Sequence, residues 1–209
     1  MKVPFTLASG GMEIFMKLII GVTGGTGSGK TTVSTYLKEK GAMIIDADIV
    51  AREIVMPGKA ALSEIEDSFG NDVILSDGSL NRKKLASIVF TDSKKLNILN
   101  SITHKYIIDE INSAVNKKQD GIVVIDAALL FQTELFKLCD KTLSVIADRD
   151  VRKKRIISRD GLSEEMAQNR ISSQEPDSYY EAKSDYVVVN NGDADSLKFE
   201  IDRILKELM

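Results

Sequence analysis

The chain has 209 residues, 43% hydrophobic and 28% charged, and its 28 Lys and Arg against 31 Asp and Glu leave a net charge of −3. That length supports one well-packed core, and that charge gives no reason to expect nucleic acid as a partner, although a locally basic cleft for a small anion is compatible with it. The single cysteine, Cys139, excludes an internal disulfide framework and suits a reducing cytoplasm. It lies in an apolar stretch and reads as a buried structural thiol. No apolar run reaches the roughly 20 residues of a membrane helix.

Met1 to Phe15 lacks the apolar run and small-residue cleavage site of a secretory signal and reads as an extension or tag, with the folded unit expected over 16–209. Leu18-Ile19-Ile20-Gly21-Val22 is a short continuous apolar run, the pattern of a strand buried on both faces. A glycine-rich loop follows, then a helix expected from Thr31 to Lys40 and ended by Gly41. Ala42-Met43-Ile44-Ile45-Asp46 is a second strand of the same kind, so the opening segment reads as a βαβ unit with parallel strands.

From Ile49 to Asn116 the pattern turns helical, with Leu62, Ile65 and Phe69 at i, i+3, i+7 and Asp77-Gly78 marking a turn. Ile122–Ile125 and Thr142–Ile146 return to strand character, residues 150–175 read as two charged helices about Asp160-Gly161, and Tyr186–Val189 is a last strand before a helix striped by Leu197, Ile201, Ile204 and Leu208. Alternating strands and helices predict a three-layer α/β fold with a central, mostly parallel five-stranded sheet. The predicted division is a core of 16–50 and 119–209, an inserted helical cap over 51–118 and a lid over 150–175.

Residues 24–31, Gly-Gly-Thr-Gly-Ser-Gly-Lys-Thr, match G-x-x-x-x-G-K-[ST] at every fixed position, between a buried strand and a helix start. Glycines let the backbone turn its amides toward an anion, and the following helix adds its positive end. Lys30 is therefore expected on the β- and γ-phosphates of ATP and the Thr31 hydroxyl on Mg²⁺. Gly25, Thr26, Gly27, Ser28, Gly29 and Thr32 complete the candidate nucleotide ligands. Asp126 closes a buried strand, as a Walker B carboxylate does, or simply begins a loop.

A P-loop does not by itself separate kinases from nucleotide switches or motors. Asp46 and Asp48 stand at the expected end of the second strand, where open α/β sheets bind ligands, and spacing by two puts them on one strand face. Asp48 can orient an acceptor hydroxyl, or it can cap a helix beginning near Ile49. Arg152, Arg155 and Arg159 form one helical stripe, with Arg170 on the next helix. They read either as clamps on a transferring phosphoryl group or as a solvated, salt-bridged face.

The motifs together resemble the dephospho-CoA kinase family from Leu18 to Leu208. The specific blocks are Gly21-Val22-Thr23-Gly24-Gly25, Ile45 to Arg52, Gly70 to Ile74 with Asp77 to Arg82 and Val89-Phe90, and then Arg155, Arg159-Asp160, Arg170-Ile171, Gln174, Asp185-Tyr186-Val187 and Asn190-Asn191-Gly192. The resemblance implies ATP-dependent phosphorylation of a ribose 3′-hydroxyl on dephospho-CoA, with Mg²⁺. It further implies Asp48 as base or orienter, Thr23 and Arg52 near the acceptor, and Arg155 and Arg159 in the lid over the phosphates. Asn190, Asn191 and Gly192 would lie beside the adenine. His104, the one histidine, corresponds to a family histidine of the acceptor region, and without the family it reads as a packing or surface residue. Lys105 stands where the family usually has Pro, Gln132 where Glu is common, and Tyr180 where Lys is frequent. Another P-loop small-molecule kinase, such as a nucleoside monophosphate kinase, and a nucleotide-switch protein are the alternative readings.

Overall fold

A computed structural model describes residues 17–208; the expected extension, Met1 to Phe15, lies outside the described residues. Five parallel strands form one sheet in the order β2-β3-β1-β4-β5, with β1 Leu18–Thr23, β2 Met43–Asp46, β3 Ile122–Asp126, β4 Lys141–Ile146 and β5 Tyr186–Val189. The β1 and β2 strands are parallel as expected, but β3 lies between them, pairing Val22 with Asp126 on one side and Asp46 with Asp126 on the other. Periodicity gives strand character, not neighbour order; the long helical excursion before β3 lets that strand enter the gap.

The pleat sorts the strand side chains into two cores. On one face Ile20, Val22, Val124, Leu143, Val145 and Val188 pack on α1 (Lys30–Glu39) and α9 (Ala194–Leu208) through Val33, Leu37, Leu197 and Ile201. On the other face Ile45, Val123 and Ile125 pack on the helices between β2 and β3, which are α2 (Ala47–Glu53), α3 (Ala60–Phe69), α4 (Arg82–Val89) and α5 (Ser93–Lys117). Fully burying a Leu, Ile or Val contributes about 1.5–3 kcal/mol, so fully enclosed residues such as Leu37, Ile65, Ile111 and Ile125 anchor both layers. Gly21 must be small: a Cβ there would stand 2.7 Å from Cys139 Sγ and 2.8 Å from a Leu130 methyl.

Local signals set the helix starts. Asn81 caps α4 through the Lys84 amide, and Asp92 caps α5 through the amides of Lys94 and Lys95. The charged segment forms α6 (Arg149–Asp160) and α7 (Glu164–Ser172), with Gly161 in the left-handed conformation ending α6 and Ser163 capping α7. Ile156, Ala167 and Ile171 make a third, small core between these two helices. Then α8 (Asp177–Lys183) leads into β5.

Candidate active site

All strands run the same way, so each delivers its following residues to one edge of the sheet: the loop after Thr23, Asp46, Asp126, the start of α6 after β4, and Asn190 after β5. At the centre, Gly29 takes φ 101° as the residue before α1, a left-handed value that suits glycine, and its missing Cβ leaves room for the Asn190 amide. Among the described residues the amides of Gly27, Gly29 and Lys30 have no acceptor. With the positive end of α1 beside them, these donors suit an anion.

Lys30 pairs directly with Asp126, whose other oxygen accepts from Ser34 Oγ at 2.6 Å. Asp126 is only 6% exposed and lies at the mouth of the loop, in contact with the loop lysine. The hydroxyl of Ser34, one helical turn after Lys30, is a partner that no sequence motif announced. Thr31 and Thr32 are exposed in the first turn of α1.

The two carboxylates at the end of β2 and start of α2 do not share a strand face. The chain leaves the strand at Asp46 and is already helical at Ala47, so strand alternation stops before it reaches Asp48. Asp46, not Asp48, is the N-cap of α2, accepting from the amides of Asp48 at 2.8 Å and Ile49 at 3.1 Å. Asp48 is exposed in the first turn, and neither it nor Arg52, one turn later, makes a side-chain hydrogen bond or ion pair among the described residues. Thr23 is fully buried, its hydroxyl donating to Ala128 O at 3.2 Å. His104 is half-buried on α5.

The stripe on α6 splits into three environments. Arg152 is 4% exposed and donates to Thr26 O at 2.9 Å, to Asp177 at 3.0 Å and to Gln174 Oε1 at 3.1 Å. A Cβ on Gly25 would collide with its guanidinium. Arg155 reaches the carbonyls of Gly27, Ser28 and Asn190 at 3.4, 3.3 and 3.0 Å. Arg159 instead forks onto Asp160 at 2.7 and 2.9 Å, and Arg170 joins the same carboxylate. These arginine hydrogen bonds, Arg159 first, hold the Asp160 carboxyl below the usual range.

Asn190, also buried, donates to Ser28 O at 2.7 Å, while Asn191 accepts from the Asp148 amide at 2.7 Å. Both therefore brace the loop and the start of α6, and Gly192 is exposed beside them. Lys105 lies inside α5, bonded to Glu64 at 3.2 Å and stacked over Tyr106. Tyr180 is buried edge-on against Tyr179, and burial raises its phenol pKa. Gln132 is exposed.

A P-loop at one edge of a parallel sheet in the order 2-3-1-4-5, with helices packed on both faces, defines the P-loop kinase class of fold. The sequence profile described as dephospho-CoA kinase matches residues 18–196. A dephospho-CoA kinase of Fusobacterium nucleatum is 40% identical over 191 residues, covering 91% of this chain and 98% of that one. Among solved structures, a Thermus thermophilus protein superposes with a TM-score of 0.77 at 28% identity, covering 93% of this chain and 99% of that one. A dephospho-CoA kinase of Campylobacter jejuni gives 0.58 at 25% identity, covering 92% and 98%. The chain belongs to the dephospho-CoA kinase family.

Proposed function

We propose that this enzyme transfers the γ-phosphoryl group of ATP to the ribose 3′-hydroxyl of dephospho-CoA, giving CoA and ADP. The observation that carries the reading beyond nucleotide binding is Asp48: an exposed carboxylate at the ligand edge, unengaged among the described residues and relieved of capping by Asp46. Such a group can accept a hydrogen bond from an acceptor hydroxyl and orient it for in-line attack. Arg52, on the same face of α2 and unpaired among the described residues, offers a cation to acceptor phosphates, and His104 would border the acceptor, with the buried Thr23 supporting that edge from beneath through Ala128. The free amides of Gly27, Gly29 and Lys30 would hold the phosphates, and Lys30 would leave Asp126 for the β- and γ-oxygens. Arg155 and Arg159 would complete the phosphate side from the lid, with Asn190 to Gly192 along the adenine.

Thr31, exposed at the helix start, and Asp126, at the mouth of the loop, fit a Mg²⁺ ion held mostly by phosphates and water, since the metal needs few protein ligands. When bound, the ion would neutralise charge on the β- and γ-oxygens. Among the described residues no helix is long and apolar enough to cross a membrane, and with one free cysteine the reading places the enzyme in the cytoplasm.

An ADP-release assay with dephospho-CoA, with nucleoside monophosphates and with no acceptor tests the reading. Turnover only with dephospho-CoA is expected. Turnover confined to a nucleoside monophosphate would overturn the acceptor, and equal turnover without acceptor would indicate a nucleotide switch.

A further inference from the structure

Glycine-rich loops change peptide orientation at little cost, because glycine accepts both signs of φ. A phosphate loop is useful only while its amides point inward, so something must hold the peptide planes. Around Thr26 that work falls to side chains. The Thr26 amide donates to Gln174 Oε1 at 2.7 Å, and the Thr26 carbonyl accepts from Arg152 Nε at 2.9 Å. Arg152 Nη2 donates to the same Gln174 oxygen at 3.1 Å, and Nη1 is fixed by Asp177 at 3.0 Å.

Each peptide unit is planar and trans, so fixing one carbonyl also fixes the amide on its far side. Drawing Thr26 O toward Arg152 turns the Gly27 N–H the opposite way, and Gly27 carries φ 76° to continue the turn. Holding the Thr26 N–H on Gln174 similarly sets the Gly25 carbonyl, which accepts from the Ser28 amide at 3.1 Å. Two successive peptide planes of the loop are thus set from the α6–α8 side of the molecule.

We propose that Gln174, seated on Arg152, is a positioning residue. Its side-chain oxygen holds the phosphate loop in its anion-binding orientation and ties the loop to the segment joining α7 and α8. The effect requires an acceptor at that position, and the amide group as such is dispensable. The inference rests on the nucleotide reading of the loop but not on the identity of the acceptor substrate.

The test compares Gln174→Leu, which removes the acceptor at similar size, with Gln174→Glu, which keeps it. ADP affinity by calorimetry is independent of any acceptor substrate, and kcat and KM for ATP are measured alongside. Gln174→Leu is expected to weaken ADP binding and raise the KM for ATP by about tenfold each, the scale of one partly buried hydrogen bond, while kcat falls less than about threefold. Gln174→Glu should stay within about threefold of the parent on all three. ADP affinity unchanged in Gln174→Leu, or equally weakened in both variants, would overturn the proposal. If the leucine variant does not fold, exchange of the Thr26 amide in the unmodified apo protein decides. Protection is expected, and exchange at the rate of an exposed loop amide would refute the clamp. Should dephospho-CoA fail as acceptor for the unmodified enzyme, these nucleotide readouts would still stand or fall on their own.

Discussion

Asp46 and Asp48 are two residues apart, yet the structure gives them different surroundings, and opposite outcomes on mutation are expected. Asp46 accepts from two amides at the start of α2, so Asp46→Ala removes a full N-cap, a loss of about 1 kcal/mol. For a chain of this size that corresponds to a fall in Tm of about 2–4 °C. Asp48 has no partner among the described residues. Asp48→Asn forfeits only the interaction of an exposed charge with a short helix terminus, about 0.5 kcal/mol or less. Its kinetic effect should be far larger: loss of a proton-accepting, orienting group lowers kcat by about a hundredfold or more, roughly 2.7 kcal/mol of transition-state stabilisation. Thermal denaturation and steady-state ADP release on both variants, with ADP affinity as a control, give the comparison. Asp48→Asn should bind ADP normally, melt near the parent temperature and turn over very slowly. Retention of kcat within about threefold would refute an orienting role, because groups that move protons contribute much more than that. A larger loss of stability for Asp48→Asn than for Asp46→Ala would refute the assignment of the cap.

Three other outcomes follow from the same geometry. Burial pushes the Cys139 thiol up to about 12, so the native protein should react with disulfide reagents at pH 8 far more slowly than the denatured chain; equal rates would show that the packing of Cys139 against β1 is wrong. Asp160 has its carboxyl held below the usual range by Arg159 and Arg170, so its stabilising effect is full above the unfolded carboxylate pKa of 3.8 and is lost as pH falls through the lower folded value. The difference in melting temperature between the parent and Asp160→Asn should accordingly shrink on acidification, and a difference that grew instead would contradict the sign. Gly29→Ala should cost more stability and nucleotide affinity than Gly58→Ala. Both glycines have positive φ, worth about 1–2 kcal/mol to an L-residue, but the Gly29 Cβ also meets the Asn190 amide whereas Gly58 faces open space. Equal losses, measured by denaturant unfolding and calorimetry, would argue against the Asn190 brace.

The layered fold was legible because parallel strands are buried on both faces and so advertise themselves as continuous apolar runs such as Ile122–Ile125. The phosphate loop was legible because its chemistry tolerates few residue types. What the sequence did not disclose depends on contacts between distant segments. Nothing in the pattern around Asp46-Ala47-Asp48 marks where strand becomes helix, and that one-residue matter decides which carboxylate caps and which is free. Three arginines at helical spacing look alike in sequence. Only packing turns Arg152 into a buried support, Arg155 into a ligand of loop carbonyls and Arg159 into a partner of Asp160. Gln174 stood out in the motif without a role, because its partner, Thr26, lies 148 residues away.

The three cores differ in extent, and this governs how the molecule comes apart. The helices between β2 and β3 share one continuous core with the sheet, from Ile45 and Ile125 through Ile65 and Ile111 to Val115. Separating them from the sheet would strip one whole face of it, so they unfold with the sheet as a single cooperative unit. By contrast, α7 rests on a small apolar core, Ala167 and Ile171 against Ile156 with Ile157 and Leu162 alongside, and its ion pairs to α6, Glu164 with Lys153 and Arg170 with Asp160, are largely exposed and add little. It can detach about Gly161 at a small fraction of the global unfolding free energy, leaving α6 pinned by Arg152. The packing thus predicts a lower-cost local opening at α7, beside the phosphate loop, than at the described helices between β2 and β3. Slow amide exchange in α5 and faster exchange in α7 would be the signature of that division.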